Sequence, residues 1–390
     1  MARIWRSLTI PDQVKIRRSL RMPELGPKIL FFSGGSALNK VSRVLKNYTH
    51  NSIHFVTPFD SGGSSAKLRD EFVMPAVGDL RSRLMALADE SVLGQPDVYK
   101  LFNYRLDATK SQPDLQAELV LLKAGEHALI KKVAQPLREL IQTQLSVTCA
   151  NISDNFELQG ASVGNLIIAG GYLNNEQQLD PIVFLFSRLV KVLGEVNTIT
   201  DSYQHLVAEL ENGELLLGQH RLTGKETDKI DSPVKRIYLS PSLSSPIKVT
   251  PQIGVDRQAA IRSADLICYP PGSFYSSILA NLLPAGVAES ILVNENPKVY
   301  IPNLGIDPEQ YGMNILMQVQ QLITRVKGSL AEGAAGALDF LLLDEKVVYQ
   351  TKYLEAIRQL GVCILQADLA SVDAIQYDEK KLSEALISLV

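Results

Sequence analysis

The segment KILFFSGGSALNK, residues 28–40, shows most directly how this chain folds. It opens with an apolar run, KILFF, that suits one buried strand and ends at a serine and two glycines. Apolar residues then recur at steps of three, four and three, at Leu38, Val41, Leu45 and Tyr48, which is one face of a helix. SIHFVTP, residues 52–58, predicts the next strand. Strand, glycine turn, helix and strand form a βαβ unit, which implies a parallel sheet.

The same alternation returns in the second half of the chain. The further strand candidates are ADLICYP (264–270), PKVYIPNL (297–304), ALDFLLLDE (337–345) and GVCILQADL (361–369). Helical stretches lie between them, and DEKKLSEALISLV (378–390) predicts a closing helix. We therefore expect one α/β domain over residues 27–390.

The middle of the chain departs from this alternation in two places. Leucines at helical intervals between about 113 and 146 predict two helices inserted into the α/β body. The segment from about 196 to 222 predicts a small β excursion, with Asn212-Gly213 as a hairpin turn.

Composition excludes several classes of protein. The chain has 390 residues, of which 46% are hydrophobic and 21% charged, as in an ordinary globular protein. Its net charge of −3 gives no electrostatic basis for binding nucleic acid, and no apolar run is long enough to span a membrane. The three cysteines form no C-x-x-C pair and the five histidines show no metal-binding spacing, so we expect a cytoplasmic protein without a histidine-based zinc site.

The first 26 residues form a basic arm without the apolar block of a secretory signal. Its basic residues are Arg3, Arg6, Lys15, Arg17, Arg18 and Arg21. One interpretation is a solvated arm or a short helix that packs on the body. The alternatives are an organellar targeting peptide or a site for an anionic partner.

Three glycine-rich loops each join a predicted strand to a predicted helix. They are Gly34-Gly35-Ser36, Gly62-Gly63-Ser64-Ser65 and Pro271-Gly272-Ser273. Loops at the carboxyl ends of parallel strands present backbone N–H groups and helix N-termini, which favour phosphate. Lys67 and Arg69 follow the second loop and would neutralise a diphosphate. Neither G-x-x-x-x-G-K-[ST] nor G-x-G-x-x-G occurs, so we expect no P-loop and no nicotinamide or flavin cofactor.

Longer motifs around these loops resemble one family. GGSAL (34–38) is similar to that family's G-G-[TS]-G-L, and DSGGSSAKLRDE (60–71) to its D-D-G-G-S-S-G-R-L-R. Three further matches are PAVGDLRSRLMALAD (75–89), SVGNLIIAG (162–170) and YPPGSFYSSILANLLPAGVAESI (269–291). Over roughly residues 28–390 the chain thus resembles the CofD and YvcK-like proteins, the fold family of 2-phospho-L-lactate transferase.

The resemblance implies a Rossmann-like α/β fold, with helices on both faces of a mostly parallel sheet. It also implies a nucleotide-linked small molecule, GDP- or UDP-linked, bound across the loops. One branch of the family transfers a phospholactyl group from a guanosine diphosphate-linked donor to a deazaflavin alcohol, with magnesium. Another branch binds UDP-sugars and acts in the control of carbon metabolism and envelope growth. A homo-oligomer is compatible with either branch.

The resemblance carries specific roles onto this chain. It implies that Asp60 binds magnesium and that Asp60, Asp79 and Arg81 do the catalytic work. The expected ligand contacts are Gly34, Gly35, Ser36, Gly62, Gly63, Ser64, Ser65, Lys67, Arg69, Gly164, Asn165, Gly272, Ser273 and Ser276.

The function expected first is transfer of a phosphorylated group from a nucleoside diphosphate-linked donor to an acceptor hydroxyl, as in 2-phospho-L-lactate transferase. The alternative is a non-catalytic regulator that binds a UDP-sugar. Three departures from the family pattern indicate a divergent branch with a different substrate, and those at Ser61 and Ala161 favour the regulator. Ser61 replaces the second aspartate of the D-D pair, Ala161 replaces a histidine, and Ala37 replaces the last glycine of the first loop.

Purely structural roles are the alternative for several of these residues. Asp79 or Asn165 would cap a helix, Arg81 would pair with an aspartate, and Phe274 and Tyr275 would belong to the core.

Overall fold

A computed structural model describes residues 7–91, 94–224, 229–331, 333–373 and 375–390. Within these ranges no helix combines the length and the apolar character that crossing a membrane requires. The strands are β1 Ile29–Ser33, β2 Ile53–Val56, β3 Glu195–Thr198, β4 His205–Leu210, β5 Leu215–Leu217, β6 Val234–Ser240, β7 Leu266–Tyr269, β8 Lys298–Tyr300, β9 Phe340–Asp344 and β10 Cys363–Ala367.

Seven of these strands form the main sheet, in the order β10-β9-β8-β7-β1-β2-β3. Every neighbouring pair is parallel. The chain builds outward from β1 through β2 to β3, and then returns to β7 on the other side of β1. The predicted α/β fold is therefore confirmed, and its topological switch point lies between β1 and β7.

Sixteen α-helices lie among the described residues. They are α1 Gln13–Arg21, α2 Asn39–Leu45, α3 Gly63–Phe72, α4 Gly78–Leu87, α5 Pro96–Asn103, α6 Gln112–Ala124, α7 Ala128–Lys132, α8 Leu137–Asn151, α9 Val163–Asn174, α10 Asp180–Leu189, α11 Gln219–Thr223, α12 Val255–Ser263, α13 Val287–Val293, α14 Ile315–Lys327, α15 Thr351–Gln359 and α16 Glu379–Ser388. A wider helical turn, Phe274–Leu279, follows β7.

Alternating side chains of β1 bury against opposite faces of the sheet, because successive residues of a strand point to opposite sides. Leu30 and Phe32 belong to the core that includes α12, α13 and α14. Ile29 and Phe31 belong to the core that includes α2 and α16. Both faces are therefore covered by helices, as the sequence predicts.

The helical insertion is larger than the sequence predicts. Three helices, α6 to α8, occupy the place of the expected two, because the chain breaks after Ala124 and again before Leu137. Gly125 ends the first helix in a left-handed conformation, with φ of 79°. The three helices share one apolar core with α4, α5, α9 and α10.

The β excursion also differs from its predicted limits. Residues 195–198, near its predicted start, are strand β3 of the main sheet. The separate antiparallel sheet, in the order β5-β4-β6, spans 205–240. Asn212-Gly213 forms its hairpin turn as predicted, with the Leu210 N–H donating to the Glu214 carbonyl at 2.9 Å.

The described part of the basic arm packs on the body as a helix. The Asp12 N–H donates to the Ser388 Oγ at 2.8 Å, and the Lys15 Nζ donates to the Ser388 carbonyl at 3.0 Å. Ile16 is buried in the same contact. Arg3 and Arg6 of the arm lie outside the described residues.

Candidate functional site

A cavity of about 380 Å³ opens at the carboxyl ends of β1, β2 and β7, at the switch point of the sheet. Loops after these three strands line it, together with the first turns of α3 and α4, with α11 and with Asn165 of α9. Eleven predicted site residues line it in one place: Gly34, Gly35, Ser36, Asp60, Gly62, Gly63, Ser64, Ser65, Asp79, Arg81 and Asn165, joined by Gly272 and Ser273 of the third loop.

The loop after β1 lines the cavity and carries backbone N–H groups that the described part of the protein leaves unpaired. The buried Arg83 donates to the carbonyl oxygens of Gly34 at 3.1 Å and Gly35 at 2.9 Å, so these carbonyls face the protein interior. Among the described residues, the N–H groups of Gly35, Ser36 and Ala37 have no acceptor. This arrangement suits an anionic ligand.

Close packing explains why this loop contains glycine. A Cβ on Gly34 would lie 2.2 Å from the Ser277 Oγ, and one on Gly35 would lie 2.0 Å from the Asp79 Oδ1. Neither contact is possible for a larger residue without displacing its neighbour.

The loop after β2 leads directly into the N-terminus of α3. The Asp60 carboxylate accepts the Gly62 N–H at 3.1 Å, which holds the start of the loop. Gly63 has φ of 50° and no atom within 4 Å of the place a Cβ would occupy. The N–H groups of Gly63, Ser64 and Ser65 have no acceptor among the described residues. The first turn of α3 therefore offers a second set of donors and the positive end of a helix dipole.

The loop after β7 differs from the sequence prediction. Asp307 accepts the Phe274 N–H, and Glu309 accepts the N–H groups of Tyr275 and Ser276, each at 2.8 Å. Two carboxylates of the protein thus bind the N–H groups that follow this loop, including that of Ser276, which the sequence predicts as a ligand contact. Burial, and then the charge of Asp307, raise the pKa of Glu309 to about 7. The prediction that Phe274 and Tyr275 are core residues is confirmed, since both are buried.

Two arginines bring positive charge to the cavity. Arg81 donates from Nε to the Asn165 Oδ1 at 2.9 Å and from Nη1 to the Phe102 carbonyl at 3.3 Å. Burial, and then the charge of Arg105, lower the pKa of Arg81 to about 10, so it stays charged at neutral pH. Arg105 is exposed and donates to the Ser64 Oγ at 3.3 Å. Arg105 was not predicted from the sequence, because it lies outside every motif.

Four predicted ligand contacts do not line the cavity. Lys67 forms an ion pair with Glu157 at 2.8 Å. Arg69 is buried and donates to backbone carbonyls, including that of Pro58 at 2.9 Å. Gly164 packs against Arg81, since a Cβ at this position would lie 2.6 Å from the Arg81 Cδ. The Ser276 hydroxyl donates a hydrogen bond to Glu309.

The helix-capping alternatives have a clear outcome at α9 and α4. The α9 N-cap is Ser162, whose hydroxyl accepts the Asn165 N–H at 3.3 Å, so Asn165 keeps its side chain for Arg81 and Ser64. Asp79 stands in the first turn of α4 rather than at its N-cap, which is Val77. Both residues therefore face the cavity.

Asp60 and Asp79 are the acidic side chains of the cavity wall. In the described part of the chain, no group of three or more histidines, cysteines, aspartates or glutamates is arranged to hold a metal ion. Magnesium typically needs only one or two carboxylates besides substrate phosphates. The donors present thus suit a magnesium ion that arrives with a phosphorylated ligand.

The α11 side of the cavity was missed by the sequence analysis. Gln219, His220 and Thr223 line it. The His220 Nδ1 lies 2.8 Å from the Ser61 Oγ, although the two residues are 159 positions apart in the chain. No local motif signals such a contact, because α11 and the loop after β2 come together only through tertiary packing.

Comparison with known proteins shows the family of this chain. A family model described as 2-phospho-L-lactate transferase CofD matches residues 29–387. Since the match spans nearly the whole sequence, the chain belongs to the CofD family.

Relatives and solved structures agree with this assignment. A gluconeogenesis factor of Bacillus subtilis is 26% identical over 380 residues, 93% of this chain and 98% of that protein. A gluconeogenesis factor of Listeria monocytogenes is 28% identical over 283 residues, 72% of this chain and 68% of that protein. The crystal structure of a UPF0052 family protein from Bacillus halodurans has a TM-score of 0.66 and 23% identity, covering 93% of this chain and 98% of that one. It shares the fold.

Proposed function

We propose that this protein binds a nucleoside diphosphate-linked small molecule and acts as a regulator of carbon metabolism or envelope growth. One observation carries the binding proposal: residues with two sets of backbone N–H groups that are unpaired in the described structure, in the loop after β1 and the first turn of α3, line one cavity together with Arg81. A diphosphate provides enough acceptor oxygens for both sets and enough charge for the arginine.

The regulatory role is supported by two facts. The Bacillus subtilis gluconeogenesis factor aligns with 93% of this chain and 98% of its own length. Ser61 stands where the transferase-like pattern has an aspartate, and its hydroxyl is engaged by His220. A UDP-sugar is the ligand that this proposal favours.

The second candidate is transfer of a phosphorylated group, and the two carboxylates in the cavity favour it. In this reaction an acceptor hydroxyl oxygen forms a bond to the donor phosphorus nearer the transferred group, and the bond to the bridging oxygen breaks to release a nucleoside monophosphate. Asp60 or Asp79 takes the hydroxyl proton, and Arg81 stabilises the negative charge that develops on the phosphate.

Magnesium is part of the proposal in either case. Asp60 would hold the ion together with ligand phosphate oxygens, while its contact with the Gly62 N–H fixes the carboxylate. A bound magnesium ion would neutralise part of the diphosphate charge.

A binding and turnover experiment separates the two candidates. Calorimetric titration with UDP-glucose, GDP-mannose, UDP and GDP, with and without magnesium, tests binding, and ATP serves as an unrelated nucleotide. Incubation with a deazaflavin alcohol and a lactyl-diphosphoguanosine donor tests transfer through release of guanosine monophosphate. Binding without release supports the regulator, and release supports the transferase. Failure of all four diphosphate ligands to bind would contradict both.

A further inference from the structure

The α11 wall, defined as Gln219, His220 and Thr223, carries polar groups that the phosphate-binding loops do not use. Gln219 is 7% exposed and lines the cavity. Among the described residues its Oε1 is buried and has no hydrogen-bond partner. Since buried polar atoms in proteins are nearly always paired, an unpaired amide oxygen just beneath the cavity surface points to a ligand group as its partner, which the oxygen reaches when the amide turns toward the cavity.

Ser61 fixes the orientation of His220. The backbone N–H of His220 donates to the Ser61 Oγ at 3.2 Å, and the Oγ lies 2.8 Å from the imidazole Nδ1. No other acceptor for the Ser61 hydroxyl proton lies among the described residues, so we assign this proton to the bond with Nδ1. In that tautomer Nδ1 accepts, and Nε2 carries the hydrogen.

The wall therefore offers one donor, the His220 Nε2–H, and one acceptor, the Gln219 amide oxygen. A phosphate or carboxylate prefers cations, which the cavity receives instead from Arg81 and Arg105. A hydroxyl group both donates and accepts, and so it matches the His220 Nε2–H and the Gln219 Oε1.

We propose that His220, positioned by Ser61, and Gln219 determine specificity by binding hydroxyl groups of the sugar that is linked to the diphosphate. This inference rests on the proposed binding function and adds to it the residues that recognise the group beyond the phosphates. It also gives a reason for the departure at Ser61. An aspartate there would place a negative charge beside the imidazole, whereas serine orients the ring and adds no charge.

The test compares sugar nucleotides with bare diphosphates. UDP-glucose and UDP, and likewise GDP-mannose and GDP, are titrated into the full chain by calorimetry. Two added hydrogen bonds predict that the preferred sugar nucleotide binds at least about tenfold more tightly than its diphosphate. Gln219→Leu, which removes the amide at similar size, reduces this preference about fivefold and leaves the affinity for the bare diphosphate within about twofold.

Two substitutions at His220 separate recognition from packing. Asparagine places an amide near the position of Nδ1 and lacks a donor at Nε2, whereas glutamine reaches the position of Nε2. We expect His220→Asn to lose about fivefold to tenfold of the sugar preference and His220→Gln to keep most of it. Arg221→Gln, on the same helix and outside the cavity, is the matched control and leaves the preference unchanged.

The outcomes distinguish this inference from the proposed function. If the wild-type protein binds bare diphosphates as tightly as sugar nucleotides, the inference is overturned and the binding proposal stands. If the Asn and Gln variants lose the preference equally, His220 only packs, and the inference is also overturned. If none of the four probes binds, both are wrong. Thermal melting shows whether each variant is folded. If a His220 variant does not fold, the sugar preference of Gln219→Leu still tests the inference.

Discussion

Replacing Gly63 by valine removes ligand binding, because this position combines an unusual backbone conformation with open space over the first turn of α3. Its φ is 50°, and no atom lies within 4 Å of the added Cβ. The added Cβ thus lies in open space beside the cavity, and we expect the valine side chain to block the approach of a ligand to the α3 N–H groups. A diphosphate that loses these donors should bind at least about 100-fold more weakly, which is about 2.7 kcal/mol.

The cost to folding is separate and small. A residue with a Cβ in the left-handed region loses about 1–2 kcal/mol of stability. For a chain of 390 residues, the unfolding entropy converts this loss into a fall in Tm of about 2 °C. The variant should therefore remain folded at the temperature of a titration.

Gly213 provides the matched control. It also has a positive φ, 90°, and no atom within 4 Å of its Cβ position, but it lies in the hairpin turn between β4 and β5. Gly213→Val should lose a similar amount of stability and keep wild-type affinity. Calorimetric titration with UDP-glucose or GDP-mannose, together with thermal melting, measures both effects. Wild-type affinity in Gly63→Val would refute the assignment of this loop to phosphate binding.

Three further substitutions probe the supports of the cavity. Asp60→Asn retains an oxygen for the Gly62 N–H, so titration without magnesium should change less than about threefold, while any magnesium-dependent gain in affinity should disappear. Arg69→Met should lower the free energy of unfolding by about 3 kcal/mol in urea denaturation, because buried backbone carbonyls lose their donors. Glu309→Gln should remove a loss of stability that occurs as the pH rises from about 4.5 to about 7. The raised pKa of Glu309 makes the folded state bind more protons than the unfolded state in that interval.

Each expectation has a clear contrary result. A magnesium effect that persists in Asp60→Asn would show that this carboxylate does not hold the ion. If Arg69→Met keeps the wild-type free energy of unfolding but binds ligand more weakly, Arg69 is a ligand contact and does not support the fold. Parallel stability–pH curves for wild type and Glu309→Gln would show that Glu309 titrates normally.

The sequence predicts the parts of this fold that rest on local patterns. The strands of the main sheet and the helix after β1 follow from apolar runs and helical spacing, because tertiary packing reinforces those patterns. The prediction of the helical insertion was less accurate. The leucine spacing continues past Gly125, so the spacing alone does not show that a helix ends there. The edge strand Glu195–Thr198 was assigned to the wrong sheet because a four-residue strand carries no mark of its partner.

The candidate site likewise has contacts that the sequence predicts and contacts that it does not. The loops at Gly34 and Gly62 were predicted to meet, and they do, because consecutive parallel strands end at one edge of the sheet. The sequence gives no sign that Asp307 and Glu309 occupy the N–H groups after Gly272, since this contact joins residues more than 30 positions apart. His220 was missed for the same reason.

A ligand-bound crystal structure tests the central claim most directly. Crystals grown with magnesium and either UDP-glucose or GDP-mannose should show the diphosphate at the switch point of the sheet. Phosphate oxygens should lie about 3 Å from backbone nitrogens of Gly35 or Ser36 and of Gly63, Ser64 or Ser65. A diphosphate bound elsewhere, with these N–H groups facing only water, would contradict the account.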